Sequence, residues 1–322
     1  MSKQKFDNVL VGPELFDDAG VVKLSDELAI VTTVDYFTPV VDDAFDFGAI
    51  AAANSLSDIY AMGARPLSAM NIVGFPEKDI PFSILQRIIE GGLSVAGEAG
   101  MPIVGGHTFK SPEPFYGLSI TGVVRPGRIL ANAGARAGDY LYLTKPIGNG
   151  LITTALKEGK TDDQTVARAV ATMKQLNRSA SEAILAATTD RDYNCGVTDI
   201  TGYGLLGHLS EMLEASGKSA VIDFSKVPLL PGTTGLAKMD LFPGGSRSNL
   251  LSVEPDMVWD GDFEKYEKLI LADAQTSGGL LISMKPELVS GLEQQLNQRG
   301  VEFSVIGEIV EKESWQIRVT RK

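Results

Sequence analysis

The sequence predicts two α+β domains in tandem. Its 322 residues are enough for about two hydrophobic cores. Short apolar, β-branched runs alternate with helical patterns through both halves. Between the halves, Arg125-Pro126-Gly127 and the Ala/Gly/Arg-rich stretch to Gly138 read as a connection. The expected division is therefore residues 1–126 and 127–322.

In chain order, Leu28–Phe37 is apolar, β-branched and aromatic, and reads as a strand carrying Asp35 near its end. Phe45–Met62 is alanine-rich with helical periodicity and is preceded by acidic residues that suit a helix start. Asn54 and Asp58 are four apart and so share one face of that helix. Leu67–Phe75 reads as a strand and Pro81–Ala99 as an amphipathic helix. Met101–Val104 reads as a short strand running into the turn Gly105-Gly106-His107-Thr108, and Tyr116–Val124 as a further strand. The second half places strands at Tyr140–Thr144, Val221–Phe224, Leu280–Met284 and Val305–Ile309, with helices at Leu151–Leu156, Asp163–Ala187, Tyr203–Ala215 and Pro286–Arg299.

Composition narrows the chemistry. The hydrophobic share of 44% and charged share of 22% are those of an ordinary globular protein. A net charge of −12 without a basic run argues against nucleic acid or an anionic membrane as partner. The single cysteine, Cys195, rules out an intrachain disulfide and a thiolate-rich zinc site, and reads as a small packing residue. The N-terminus has no apolar leader and the chain has no run of 18 apolar residues, so a cytoplasmic protein is expected.

What stands out is aspartate in glycine-rich or helix-edge settings: Asp17-Asp18-Ala19-Gly20, Asp35, Asp58 and Thr198-Asp199-Ile200-Thr201-Gly202. Carboxylates without matching His or Cys suit Mg²⁺, a hard cation that takes oxygen ligands and shares its shell with substrate phosphates. The alternative is a set of ordinary turn and capping aspartates. Asp58 near a helix C-terminus opposes the helix dipole, which favours a role. Gly105 and Gly106 let backbone N–H groups approach a phosphate, or else serve a tight turn, and His107 can hydrogen-bond a nucleotide. Two histidines exclude a His-rich metal site, and His208, inside a helical run, reads as structural. Lys145 is either a phosphate contact or a solvated strand-end lysine. Familiar phosphate loops are missing: Thr154 stands where Gly159-Lys160-Thr161 would need its first glycine. Gly202-Tyr-Gly-Leu-Leu-Gly207 lacks a clear preceding strand and is a weak dinucleotide fingerprint.

Longer stretches carry a family pattern. They include Asp17-Asp18-Ala-Gly-Val21, Thr33-Val-Asp35-Tyr-Phe-Thr-Pro39, Asn54-Ser-Leu-Ser-Asp58, Gly105-Gly-His-Thr108 and Leu143-Thr-Lys-Pro-Ile-Gly148. Thr198-Asp-Ile-Thr-Gly-Tyr-Gly-Leu-Leu-Gly-His-Leu209, Pro243-Gly-Gly-Ser246 and Asp273-Ala-Gln-Thr-Ser-Gly-Gly279 complete it. Taken together the chain resembles the selenophosphate synthetase (selenide, water dikinase) family. Its wider relatives are aminoimidazole ribonucleotide synthetase, thiamine-monophosphate kinase and a hydrogenase maturation factor. The resemblance implies an aminoimidazole-ribonucleotide-synthetase-like fold, with an N-terminal ATP-binding domain forming a β-barrel in a homodimer and a C-terminal α/β domain. It implies Mg²⁺ on Asp18, Asp58 and Asp199. It also implies ATP contacts at Leu15, Phe16, Asp17, Asp35, Asp58, Gly106, His107 and Thr108, those of Leu15 and Phe16 through backbone. Val34 stands where a threonine is common in the family, at the cost of one hydrogen bond. The implied reaction converts ATP, selenide and water into selenophosphate, AMP and orthophosphate.

In one respect the chain departs from that pattern. Family members carry, ahead of the segment matching Asn8-Val-Leu-Val-Gly12, a glycine-rich stretch with a reactive Cys or selenocysteine and a lysine three residues on. Lys3 and Lys5 do not fit it, so no catalytic residue is assigned and a poorly active, truncated form is expected. A non-catalytic nucleotide-binding homologue and another kinase of the superfamily are the alternatives. A selenocysteine codon reads as stop, so an in-frame Gly-(Cys/stop)-x-x-Lys segment is expected upstream of Met1. A genomic frame without one removes that explanation.

Overall fold

The computed structural model describes residues 6–188 and 195–321. The chain divides into two compact units, Met1–Ala131 and Asn132–Lys322. Among the described residues no helix is long and apolar enough to cross a membrane.

The first unit contains β1 (Val9–Val11), β2 (Gly20–Lys23), β3 (Ala29–Phe37), α1 (Ala44–Ala61), β4 (Arg65–Phe75), α2 (Phe82–Glu98), β5 (Ile103–Lys110) and β6 (Phe115–Val124). Its sheet runs β1-β2-β3-β6-β4-β5 and is open, with β1 and β5 at the edges rather than closed into a barrel. Among the described residues of this sheet only β4 and β5 pair in parallel, joined by α2 as crossover. Asp43 caps α1, its carboxylate accepting from the Asp46 N–H at 2.8 Å. At the other end Gly63 takes φ +67° and the Ala64 N–H returns to the Ile59 carbonyl, a left-handed helix stop.

Helix α1 is buried almost all round, because α2 covers one side and the sheet the other. Its alanines leave room for close approach, and two glycines make that approach possible. A Cβ on Gly48 would lie 1.8 Å from the Ile88 carbonyl oxygen, and one on Gly91 would lie 2.0 Å from that of Phe45. On the sheet side the buried Ser55 hydroxyl lies 3.0 Å from both the Asp35 and Ala51 carbonyls and accepts the Leu118 N–H at 3.1 Å. One side chain thus fixes α1 against the adjacent strands β3 and β6.

The second unit contains β7 (Tyr140–Leu143), α3 (Asn149–Lys157), α4 (Asp163–Lys174), α5 (Arg178–Ala187), β8 (Val197–Asp199), α6 (Gly204–Ser216) and β9 (Ser219–Asp223). It continues with α7 (Thr233–Lys238), α8 (Gly244–Val253), β10 (Met257–Trp259), α9 (Lys265–Leu271), β11 (Leu280–Met284), α10 (Pro286–Gln298), β12 (Ser304–Val310) and β13 (Ile317–Thr320). The mixed sheet runs β10-β13-β9-β12-β7-β11-β8. The single helix expected over Asp163–Ala187 is two helices, α4 and α5. Between them the Gln175 carbonyl receives the Lys145 ammonium and Asn177 Nδ2 donates to the Gly278 carbonyl, and these bonds draw the backbone out of the helix. The expected Gly105–Thr108 turn is instead the middle of β5, hydrogen-bonded along β4 from Met70 to Val73.

A buried polar knot precedes β11. The Asp273 carboxylate accepts from Ser246 Oγ at 3.0 Å, Leu151 N–H at 3.2 Å and Gln275 Nε2 at 2.7 Å. Gln275 Oε1 accepts from the Gly148 and Asn149 N–H groups at 3.0 and 3.2 Å. Asn149 and the Thr276 backbone exchange two bonds of 2.9 Å. Burial pushes the Asp273 carboxyl up to about 7 from the usual 3.8, and its donors hold the rise back.

Two outcomes follow from this packing. Gly48→Ala forces α1 and α2 apart and should destabilise the first unit by about 1–3 kcal/mol in urea unfolding; an unchanged midpoint would contradict the contact. The raised Asp273 carboxyl favours the proton-bound folded state, so its contribution is full below about pH 4 and is lost as pH rises toward 7. Stability of the second unit should fall across that window by an amount on the order of a few kcal/mol. In Asp273→Asn, which starts less stable, this slope should be absent; an equal slope in both proteins refutes the assignment.

Candidate functional site

Strand alternation decides where the predicted residues of the first unit point. On β3, Val31, Thr33 and Asp35 face α1, while Thr32, Val34 and Tyr36 face outward. Asp35 therefore meets Asn54, whose Nδ2 donates to Asp35 Oδ2. Thr33 Oγ1 donates to Asp58 Oδ2 at 2.5 Å. Two carboxylates from different elements are thus held on one side of the β3–α1 seam, each by a neutral donor from the opposite element. Both are half-buried. Thr33 was not singled out in the sequence; its signal was its place two residues before Asp35 on the same strand face.

Asp17 and Asp18 lie half-buried in the turn ahead of β2. Phe16, just before them, takes a left-handed φ of +56° and has an exposed side chain. Leu15 ends a short 3₁₀ turn, Pro13–Leu15; its side chain lies outside the described part of the structure. Asp17 and Asp18, which follow this bend, and the β3–α1 seam belong to the same unit.

The Gly-His-Thr segment sits differently from the aspartates. One cross-strand row runs Asp35, Leu118, Asn71, Gly106, which puts Gly106 three strands from Asp35, or about 14 Å. The next row runs Tyr36, Gly117, Ile72, His107, so His107 belongs to the outward face and Thr108 to the row facing the helices. All three residues are exposed on the edge strand β5. A Cβ on Gly106 would come within 2.4 Å of the Asn71 carbonyl oxygen, so only glycine permits this β4–β5 spacing.

Asp199 belongs to the second unit. It ends β8, pairs with Leu280 and is 1% exposed. Lys145 is not the solvated lysine its strand-end position suggested. It is 3% exposed, and its ammonium donates to the Gln175 and Ser277 carbonyls at 2.6 and 2.9 Å. Burial pulls it down to about 7 from 10.5, and the negative charge of Asp199 opposes the fall. Its bonds fasten the Asp273–Gly279 segment that pairs with the chain around Asp199. A hollow of about 770 Å³, lined by Lys145 with Thr144, Pro228, Pro231 and Phe303, contains none of the predicted aspartates.

Cys195 is fully buried, as a packing residue should be. Gly202–Gly207 does follow a strand, β8, but that strand is three residues long and antiparallel to β11, which is not the parallel setting of a dinucleotide site.

Among the described residues no group of three or more His, Cys, Asp or Glu forms a ready-made metal cluster. The chemistry of the predicted donors nevertheless fits Mg²⁺. Asp18, Asp58 and Asp199 offer carboxylate oxygen only, and Mg²⁺ completes its shell with phosphate and water rather than with an all-protein cage.

Comparisons with known proteins bear on the family and the fold. Residues 16–124 match the family described as AIR synthase related protein, N-terminal domain, and residues 136–320 match its C-terminal domain. A selenide, water dikinase of Myxococcus xanthus is 46% identical over 309 residues, 96% of this chain and 87% of that protein. That of Carboxydothermus hydrogenoformans is 48% identical over 93% of this chain and 85% of its own. Among solved structures, thiamine-monophosphate kinase from Stenotrophomonas maltophilia aligns with a TM-score of 0.69 at 18% identity, covering 99% of this chain and 93% of that one. A hydrogenase maturation protein aligns at 0.67 and 19% identity, over 97% and 89%. At these identities the two structures speak for the fold alone. The sequence relatives speak for more: the chain belongs to the selenide, water dikinase family of AIR synthase related proteins.

Proposed function

We propose that this protein is a selenide, water dikinase, using ATP, selenide and water to form selenophosphate, AMP and orthophosphate. The observation that carries the reading is the β3–α1 seam, where Asp35 and Asp58 are fixed by Asn54 and Thr33, in a chain up to 48% identical to enzymes of that name.

Asp18, Asp58 and Asp199 would hold Mg²⁺, which when bound neutralises phosphate charge and aligns the phosphoryl group with its nucleophile. The protein's part is preorganisation. Thr33 and Asn54 hold the two seam carboxylates in place before nucleotide arrives, so little ordering remains to be done on binding. The bend at Phe16 and Asp17 and the exposed edge of β5 offer backbone N–H groups to the nucleotide. Retention of three all-oxygen ligands favours an enzyme over a scaffold.

The outer sheet face supports a homodimer. Val34, Tyr36 and Met70 expose 57, 49 and 53% of their surfaces there. Side chains of this kind on one face suit a second apolar surface. A second copy would complete the barrel that one sheet leaves open, with His107 at the junction.

Titration calorimetry should show ATP binding that requires Mg²⁺, by a protein sedimenting at twice the chain mass. Asp58→Asn and Asp199→Asn should each weaken Mg²⁺-dependent binding at least about tenfold, with Mn²⁺ spin resonance reporting the lost metal. Metal-independent ATP binding, or unaltered affinity in both variants, would overturn the reading. Selenide-dependent AMP formation separates it from the other kinases of the superfamily.

A further inference from the structure

We propose that the Phe16 ring is a stacking platform for the nucleotide base. The turn ahead of β2 would then grip ATP at two points, with carboxylates toward the phosphates and an aromatic face toward the adenine. The inference rests on the function proposed above and goes beyond the backbone contact that the family pattern implies at this position.

Backbone strain marks the residue. Among the described residues three that are not glycine take a left-handed φ: Phe16 at +56°, Asp240 at +61° and Ser277 at +50°. Two of them have polar reasons. The Asp240 carboxylate meets the Arg247 guanidinium at 2.9 Å, and the Ser277 carbonyl accepts from the buried Lys145 ammonium at 2.9 Å. Phenylalanine has no polar group with which to bond locally, and in this conformation its Cβ crowds the following carbonyl oxygen. A bulky side chain kept in this region points to a role rather than to local preference.

The surroundings show which way the ring is presented. Phe16 caps the 3₁₀ turn Pro13–Leu15 at its C-terminal end. On the other side Ala19 and Val21 are buried, and Val21 pairs with Val31 of β3. Between these two anchors Asp17 and Asp18 are half-buried, whereas Phe16 is 61% exposed. An aromatic side chain has only two torsions to fix, so a ring displayed on anchored backbone loses little entropy when a ligand covers it.

Position then selects the ligand. Phe16 is two residues from Asp18, at most about 7 Å along the chain. Asp18 is the predicted metal ligand of this turn, and Mg²⁺ held there would bring phosphates with it. The base of such a nucleotide lies one ribose away from its phosphates, within reach of a side chain two residues off. Every base has a π face, and stacking on an aromatic ring requires no hydrogen-bond partner. The ring would therefore add affinity for the nucleoside end, which the carboxylates cannot supply.

The test compares ATP with inorganic tripolyphosphate, which has the phosphate chain and no base, by calorimetry on the full chain with Mg²⁺. Phe16→Asn removes the ring and leaves a residue that tolerates the left-handed backbone. It should weaken ATP binding at least about fivefold while tripolyphosphate binding stays within about twofold. Phe16→Tyr should hold ATP within about twofold of the original, because both rings stack alike. Phe16→Trp adds a reporter. Its fluorescence should be quenched saturably by ATP and not by tripolyphosphate, beyond any change in the original chain with its two tryptophans. Undiminished ATP affinity in Phe16→Asn overturns the platform. An equal loss for ATP and tripolyphosphate also overturns it, since the bend alone would then be responsible. An original chain that binds neither compound overturns the proposed function, and this inference with it.

Discussion

One buried hydroxyl sets the geometry of the first unit. Ser55 reaches the Asp35 and Ala51 carbonyls and accepts the Leu118 N–H, so it joins α1 to two neighbouring strands at once. Asn54 and Asp58 flank it on the helix, and Thr33 and Asp35 face it from β3. Turning α1 by one residue would rotate it by about 100° and carry Asn54 and Asp58 away from both partners. The glycine contacts with α2 oppose that turn from the other side. Site geometry in this unit is therefore a consequence of helix register, itself fixed by a polar contact inside an apolar layer.

The second unit uses the same device on a larger scale. The bonds of Asp273, Gln275, Asn149 and Lys145 all hold the segment that leads into β11, and that segment lies against β8 and Asp199. Buried groups of this kind are costly when half-satisfied and rigid when complete. Lys145 and Asp273 stay buried because several partners share each of them. That rigidity passes to the short loop Ile200–Tyr203, whose Ile200 is buried and whose backbone bonds to Gly279, Gly278 and Gln275.

The strongly periodic parts of the fold were readable in the sequence. Strand β3 and helix α1 came out within a residue or so, because β-branched and alanine-rich runs leave little ambiguity. The aspartates stood out as a class through their settings, and the individual roles proposed for them rest on the family pattern. What escaped was decided by distant contacts. Nothing local in Asp163–Ala187 announces the break at Gln175, which exists because Lys145 and Gly278 need partners there. Gly105–Thr108 carries turn residues, yet β4 recruits it as a strand. Strands β8, β10 and β13 are three or four residues long, too short for periodicity to show.

The exposed edge at β5 has a consequence for how a lone chain behaves. Its outer strand carries unsatisfied-edge geometry and an apolar neighbourhood together, with no proline inside and a single lysine at the far end. Edges of that kind template further strand pairing, and protection comes from covering them. For such a protein, solubility during synthesis is a race between correct assembly and indiscriminate stacking. Were a second copy to cover the edge, as proposed, mass action would make the apparent stability of the chain rise with its own concentration.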